Sequence, residues 1–438
     1  MTLRKNFLIG LMLFALFLGA GNIIFPPSLG QLAGENLLIA MAGFLITAVG
    51  LPLIAVLAIA NAGGHSGLQT IAGRVHPVFG IVFTMIIYMA IGPFFGIPRT
   101  ATVSYEIGVV PFLSDRAVLS DWPLALFTIF FFLMTIALAL NPAKLVDRIG
   151  KVLTPVLFIV ISSLAIKSIL TPIGTIGQAK EAYATHPFFR SFVEGYLTMD
   201  VIAALVFGIV IVNALKVEGV TKKGPILKAM MVAGLVAAAG LTFVYVSLSY
   251  IGATSVDVIG MQENGGAILS LASTVLYGSA GTTILAVTII FACLTTSIGL
   301  VSACAQFFNE IFPVLSYKIY VLIFAGFSAI IANVGLTELI AISLPILMMI
   351  YPIAIVLMLM SFIDKSFGRK PIVYILALSA TAIVSIFDGL LVAEIDVKPV
   401  TKLLAHLPLY EQKIGWLVPA ISGGLLGAII SFFQKNRN

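Results

Sequence analysis

The stretch Phe17-Leu18-Gly19-Ala20-Gly21-Asn22-Ile23-Ile24-Phe25-Pro26-Pro27 decides the fold. It lies inside an apolar run over residues 7–32, which as a helix is long enough to cross ~30 Å of hydrocarbon. Yet two glycines, an asparagine and a Pro-Pro pair interrupt that helix from within. Gly costs ~1 kcal/mol relative to Ala in a helix interior, and Pro removes a backbone donor. At membrane depth, unpaired backbone is tolerated only where it lines a cavity or is buried in protein. An unwound stretch here would offer amides at the start of a second half-helix, suited to a carboxylate. It would also offer carbonyls at the end of the first, suited to Na⁺. A plain packing kink is the simpler alternative, since Gly is common where helices approach closely.

The rest of the chain supports a membrane setting. Its 438 residues are 60% hydrophobic and only 10% charged, against ~45–50% and ~25% in a soluble domain. The mean hydropathy of +1.15 agrees. Eleven further apolar runs follow the first, over residues 37–60, 78–98, 123–140, 152–170, 192–215, 226–251, 280–308, 317–333, 339–362, 372–393 and 414–433. None alternates as a barrel strand would, so an all-α polytopic membrane protein with twelve transmembrane helices is expected, in one transmembrane domain. The first run has no small-x-small site followed by a polar start, so it reads as a span and not as a cleaved signal. With the N-terminus inside, sixteen of the 24 Lys and Arg fall on the cytoplasmic side and eight outside. Both termini are then cytoplasmic. The net charge of +6 is thereby a topology signal and implies no nucleic-acid partner. Lipid is the expected surround, and no obligate protein partner is evident.

Several classes fall away. A nucleotide-driven pump needs a Gly-x-x-x-x-Gly-Lys-Ser/Thr loop, which is absent. Neither an HExxH nor a His/Asp constellation lies in the runs, which argues against an embedded enzyme. His65, His76, His186 and His406 all fall in expected loops. Cys293 and Cys304 are eleven residues apart in one helix, too far to bridge. A channel or an ion-coupled secondary transporter remains, with no cofactor beyond a coupling ion.

A second interruption lies in the sixth run, at Gly195-Tyr196-Leu197-Thr198-Met199-Asp200. Asp200 is the acid expected well inside the hydrocarbon, where it should face a cavity or a partner. If the helix begins later, it is instead an interfacial or N-cap carboxylate. The eighth run carries Thr295-Thr296-Ser297, either hard ligands for a small cation or hydroxyls bonded back to their own helix. Arg99 closes the third run and is expected to snorkel to the outer interface, the alternative being a gate against Glu106. Glu338 is expected at the interface.

Three segments resemble one family. The run Phe14 to Pro27, the run Gly92-Pro-Phe-Phe-Gly-Ile-Pro-Arg-Thr100 and the run Gly195 to Gly208 are similar to signatures of the bacterial branched-chain amino acid carriers, the BrnQ type of the LIVCS family. The likeness spans essentially the whole chain. It implies uptake of leucine, isoleucine and valine coupled to Na⁺ at the bacterial plasma (inner) membrane. Proton coupling is the alternative, and a small-solute channel is a more distant one. Through the amino acid–polyamine–cation superfamily, the likeness also implies the five-plus-five inverted repeat of the leucine transporter, with helices 1 and 6 discontinuous. The repeats would cover about 7–170 and 192–362, with two extra helices in 372–433. The substrate carboxylate would then meet the amides around Gly19, Ala20, Gly21 and Asn22. The ammonium would meet carbonyls near Thr198 and Met199, together with Asp200. By the same likeness, Na⁺ would take the hydroxyls of Thr295 and Thr296 and the carbonyls of Ala292, Ala15 and Leu18.

Overall fold

A computed structural model describes residues 3–62, 67–140, 145–180, 182–217 and 219–435. His65, and Lys144 and Arg437 of the charge tally, lie outside the described residues. Among the described residues, 84% are helical and there is no strand. Helix length and apolarity give seven candidate membrane crossings, or eight with the pair Pro187–Thr198 and Asp200–Lys216, which is bent by 44°. Four shorter apolar helices stand beside them. Twelve crossings require those four to span as well.

The first run is two helices. Helix α1 (Leu3–Phe17) stops where the Leu18 amide donates to the Phe14 carbonyl at 2.8 Å, and α2 (Ala20–Ala33) starts after an extended Gly19. Pro26 and Pro27 stay inside α2 and lack the amides that would bond the Asn22 and Ile23 carbonyls. All of α2 except Ser28 and Leu32 is buried, which places it at the centre of the fold, as a helix apolar on every side must be. The second run comprises α3 (Leu37–Leu45) and α4 (Leu51–Ala62), joined by a π turn.

The third run is α5 (Pro77–Met89), a π turn at Ala90–Phe94, and α6 (Gly96–Gly108). The expectation that this run ends at Arg99 is wrong, because the helix continues for nine more residues. Its continuation carries Thr100, Thr102 and Ser104, all buried, whose hydroxyls donate to carbonyls three or four residues back. Polar residues that face inward and satisfy themselves look like a loop to a hydropathy count.

Next come α7 (Trp122–Ala139), α8 (Leu145–Leu170), α9 (Pro187–Glu194) and α10 (Asp200–Val217). They are followed by α11 (Lys223–Ala253) and α12 (Gly265–Ile311), the latter kinked at Gly278 with φ 65°. Helices α13 (Tyr317–Ala332), α14 (Leu336–Ile363), α15 (Pro371–Val392) and α16 (Leu417–Lys435) complete the chain. Helix α2 packs along α11, α6 against α12, α9 on α3 and α10 on α4. The α2–α11 crossing is a backbone contact. A Cβ on Gly252 would lie 2.0 Å from the Pro27 carbonyl oxygen, and one on Gly30 the same distance from that of Ser249. Outward faces such as Leu126, Ile129, Phe130 and Leu133 of α7 are more than half exposed, an apolar belt that fits a lipid surround.

Behind the second interruption, α15 and the segment before α16 form a buried polar group. Asp388 is 1% exposed and lies 3.7 Å from the Lys413 ammonium, which also sits 5.6 Å over the Tyr410 ring. Asp388 falls in the apolar run 372–393, and its carboxylate is inside the helix bundle. The buried Trp416 indole lies beside the Tyr196 hydroxyl, and the Tyr196 ring stacks on Tyr351 of α14 at 4.5 Å.

Candidate functional site

Both interruptions are real, and they touch. The second is a 3-10 turn, Gly195–Thr198, closed by Met199 at φ 60°, ψ 15°. A non-Gly residue in this left-handed region carries a cost of ~1 kcal/mol or more, which surrounding structure must hold. Part of the hold is local. The Thr198 hydroxyl donates to the Gly195 carbonyl at 2.8 Å and accepts from the Asp200 amide at 3.3 Å. The first break lies against this turn so closely that a Cβ on Gly21 would be 3.2 Å from the Thr198 carbonyl oxygen.

Asn22 and Asp200 join the two. The Asn22 side-chain oxygen accepts the Gly19 amide at 2.9 Å, so it caps the start of α2. Its nitrogen donates to both Asp200 oxygens, at 2.8 and 3.0 Å. The Tyr245 hydroxyl of α11 donates to Asp200 Oδ2 at 2.5 Å and also contacts the Asn22 nitrogen. Asp200 is 1% exposed. It is the first residue of α10, where the positive end of the helix dipole favours a carboxylate. The interfacial alternative is therefore set aside, since the side chain is interior and fully hydrogen-bonded. Tyr245 was not expected. A tyrosine in a 31-residue apolar helix looks like core.

Arg99 is the larger correction. It does not snorkel: it is 2% exposed. Nη1 donates to the Leu197 carbonyl at 2.6 Å and Nη2 to the Ser343 hydroxyl of α14 at 3.0 Å, while the guanidinium sits 5.1 Å over the Phe25 ring. Glu106 is held elsewhere, near Asn264 at 3.4 Å, and Glu338 is exposed.

These groups surround a cavity of about 50 Å³. Gly19, Ala20, Gly21, Asn22, Thr198, Met199 and Asp200 all line it, as do Arg99 and Thr296. Phe17, Ile91, Phe207 and Leu300 supply apolar wall from the first, third, sixth and eighth runs. That volume holds a few waters and must widen for anything larger. Of the hydroxyl group in α12, Thr296 approaches the first break: its methyl carbon would lie 3.6 Å from a Cβ on Gly19. Thr295 and Thr296 both donate to the Ala292 carbonyl, at 2.8 and 3.0 Å, and each oxygen keeps lone pairs for another partner. Ser297 turns toward Thr135 of α7, at 3.3 Å. Ala15 lies in the last turn of α1 and Leu18 in the break itself. Neither they nor Ala292 and Thr295 line the cavity.

Two discontinuous helices are what the sequence likeness implies, and comparison with known proteins bears on the family and the fold. Residues 2–434 match the family described as branched-chain amino acid transport protein. The chain belongs to this family. It is 50% identical to the branched-chain amino acid permease BraB of Bacillus subtilis, over 99% of this chain and 97% of that protein. It is 44% identical to the branched-chain amino acid transport system 2 carrier protein of Pseudomonas aeruginosa, over 98% and 97%. Its relatives in the branched-chain amino acid transport family are thus permeases and carriers, transporters and not enzymes. Among solved structures, inward-facing Mhp1 superposes with a TM-score of 0.58 at 13% identity, covering 99% of this chain and 91% of that one. MhsT, solved with L-phenylalanine, gives 0.55 at 14%, covering 97% and 98%. At such identity the likeness concerns fold alone. This member of the family has the overall fold of leucine-transporter type.

Proposed function

We propose that the protein is a secondary active symporter that imports leucine, isoleucine and valine across the bacterial plasma membrane, driven by Na⁺ through alternating access. The carrying observation is the meeting of both helix breaks at one cavity, with Asp200 buried between Asn22 and Tyr245. A zwitterion suits this place. Its ammonium is received by Asp200 and the carbonyls near Thr198 and Met199, and its carboxylate by the amides at the start of α2. The mixed apolar wall separates side chains that differ by one methylene by only ~1–3 kcal/mol, in keeping with one carrier for three substrates. Na⁺ is assigned to Thr295, Thr296 and the carbonyls of Ala292, Ala15 and Leu18, so that it ties α12 to the first break. It favours the outward-open state, and substrate then completes closure.

The fold reading extends to twelve membrane-spanning helices with cytoplasmic termini, built from repeats at about 7–170 and 192–362 plus two helices in 372–433. The reciprocal packing supports it. The helix of the first break lies on α11, and the helices of the second lie on α3 and α4, as a two-fold exchange of the halves requires.

Radiolabelled leucine uptake into proteoliposomes tests the coupling. An inward Na⁺ gradient should drive accumulation well above an equal K⁺ gradient, with saturation and countertransport that a channel lacks. Replacing both Thr295 and Thr296 by Ala should raise the half-saturating Na⁺ concentration about tenfold or more. Equal uptake in Na⁺ and K⁺ would remove Na⁺ from the mechanism. Accumulation driven by an inward proton gradient alone would favour the second reading, in which buried Asp200 carries a proton.

A further inference from the structure

Among the described residues, Arg99 is a buried cation with no anion to answer it. Its guanidinium is fully enclosed, and among the described residues its contacts are one carbonyl, one hydroxyl and one aromatic ring. Its Nε is buried without a hydrogen-bond partner among the described residues. Burying an arginine without a carboxylate is costly, and leaving one donor unmet adds ~1–3 kcal/mol. Asp200 is the only acid among the described residues on the same cavity, yet no ion pair joins the two. Asp200 is engaged by Asn22 and Tyr245, and Arg99 by Leu197 and Ser343. The cavity is therefore lined by one carboxyl group and one guanidinium, held apart by separate helices.

That arrangement is complementary to a molecule bearing both charges a short distance apart. Arginine is the side chain whose planar fork best matches a carboxylate. At the start of α2, the Gly19 amide is already taken by Asn22 Oδ1, which leaves the backbone less to offer. We infer that Arg99 is a substrate-binding residue: its guanidinium receives the α-carboxylate of the transported amino acid, together with the first amides of α2, while Asp200 holds the ammonium. This rests on the proposed amino acid substrate and adds to it the residue that selects for a free carboxylate. It also gives the tie to Leu197 and Ser343 a purpose. It holds the guanidinium at the second break and against α14, so a carboxylate that draws on it pulls on both.

The test compares leucine with leucinol, which keeps the side chain and ammonium but has no carboxylate. Affinities are measured by competition against radiolabelled leucine for the purified full-length protein, wild type and Arg99→Gln, with leucinol also titrated directly by thermal shift. Wild type should prefer leucine strongly. Arg99→Gln should lose leucine affinity about 10- to 100-fold while leucinol affinity stays within about twofold, so that the preference collapses. Arg99→Lys keeps the charge without the fork and should fall between. If Arg99→Gln does not fold, Arg99→Lys alone decides, because leucine affinity should drop at least threefold more than leucinol affinity. Equal losses for both ligands would mean that Arg99 only braces the second break, and unchanged leucine affinity would also overturn the assignment. Failure of wild type to bind leucine at all would instead overturn the transport reading itself.

Discussion

At the scale of single residues, the site is a set of buried polar groups whose needs are met across helices. Asp200 accepts from Asn22 and Tyr245, and removing its charge while keeping its shape isolates what that charge does. Asp200→Asn should leave the protein folded, since the groups around it can still bond an amide, but should weaken leucine binding about 100-fold or more. Equilibrium binding with a melting curve on the same sample checks this, and wild-type affinity would detach Asp200 from the ammonium. Asp200 was legible in the sequence because an acid in an apolar run stands out. Tyr245 was not, because a hydroxyl on an aromatic ring inside α11 carries no mark of its function. Arg99 was misread for a physical reason. A cation at the end of a hydrophobic run resembles one reaching for water, and only the positions of Leu197, Ser343 and Phe25 reveal that it turns inward.

Among the helices, the breaks were legible because Gly, Asn and Pro seldom gather in a membrane-length run without opening its helix. What faces them was not, since no local pattern says that Gly21 meets Thr198 or that α2 crosses α11 backbone to backbone. The crossing has a measurable consequence. Gly252→Ala puts a Cβ 2.0 Å from the Pro27 carbonyl oxygen, and backbone cannot step aside as a side chain can. A destabilisation of about 1–3 kcal/mol is expected from such overpacking, together with impaired transport as α2 shifts. Gly299 of α12 has nothing within 4 Å of its added Cβ. Gly299→Ala should be neutral or raise the melting temperature slightly, by the ~0.5–1 kcal/mol that Ala gains over Gly in a helix. A similar loss in both variants would show that close approach is not what constrains Gly252.

For the whole molecule, orientation was read from charge alone, with sixteen of 24 basic residues on one side. Chemical labelling can check it. Cys293 and Cys304 are both buried, so an impermeant maleimide should leave the parent protein unlabelled. Leu119 and Val314 are 88% and 90% exposed in loops expected on opposite sides. Intact cells should label Leu119→Cys and spare Val314→Cys, and the opposite pattern would invert the topology. The buried group behind the second break has a use of its own. The chain has two tryptophans: Trp122 is 61% exposed, whereas Trp416 is 3% exposed and rests beside Tyr196, three residues before the left-handed Met199. Any reshaping of that turn changes the polarity and quenching around the Trp416 indole. With Trp122 replaced by Phe, Trp416 is the single tryptophan, beside the second break, and its emission, excited at the red edge where the twelve tyrosines do not absorb, can follow the conformational cycle in real time without an attached dye.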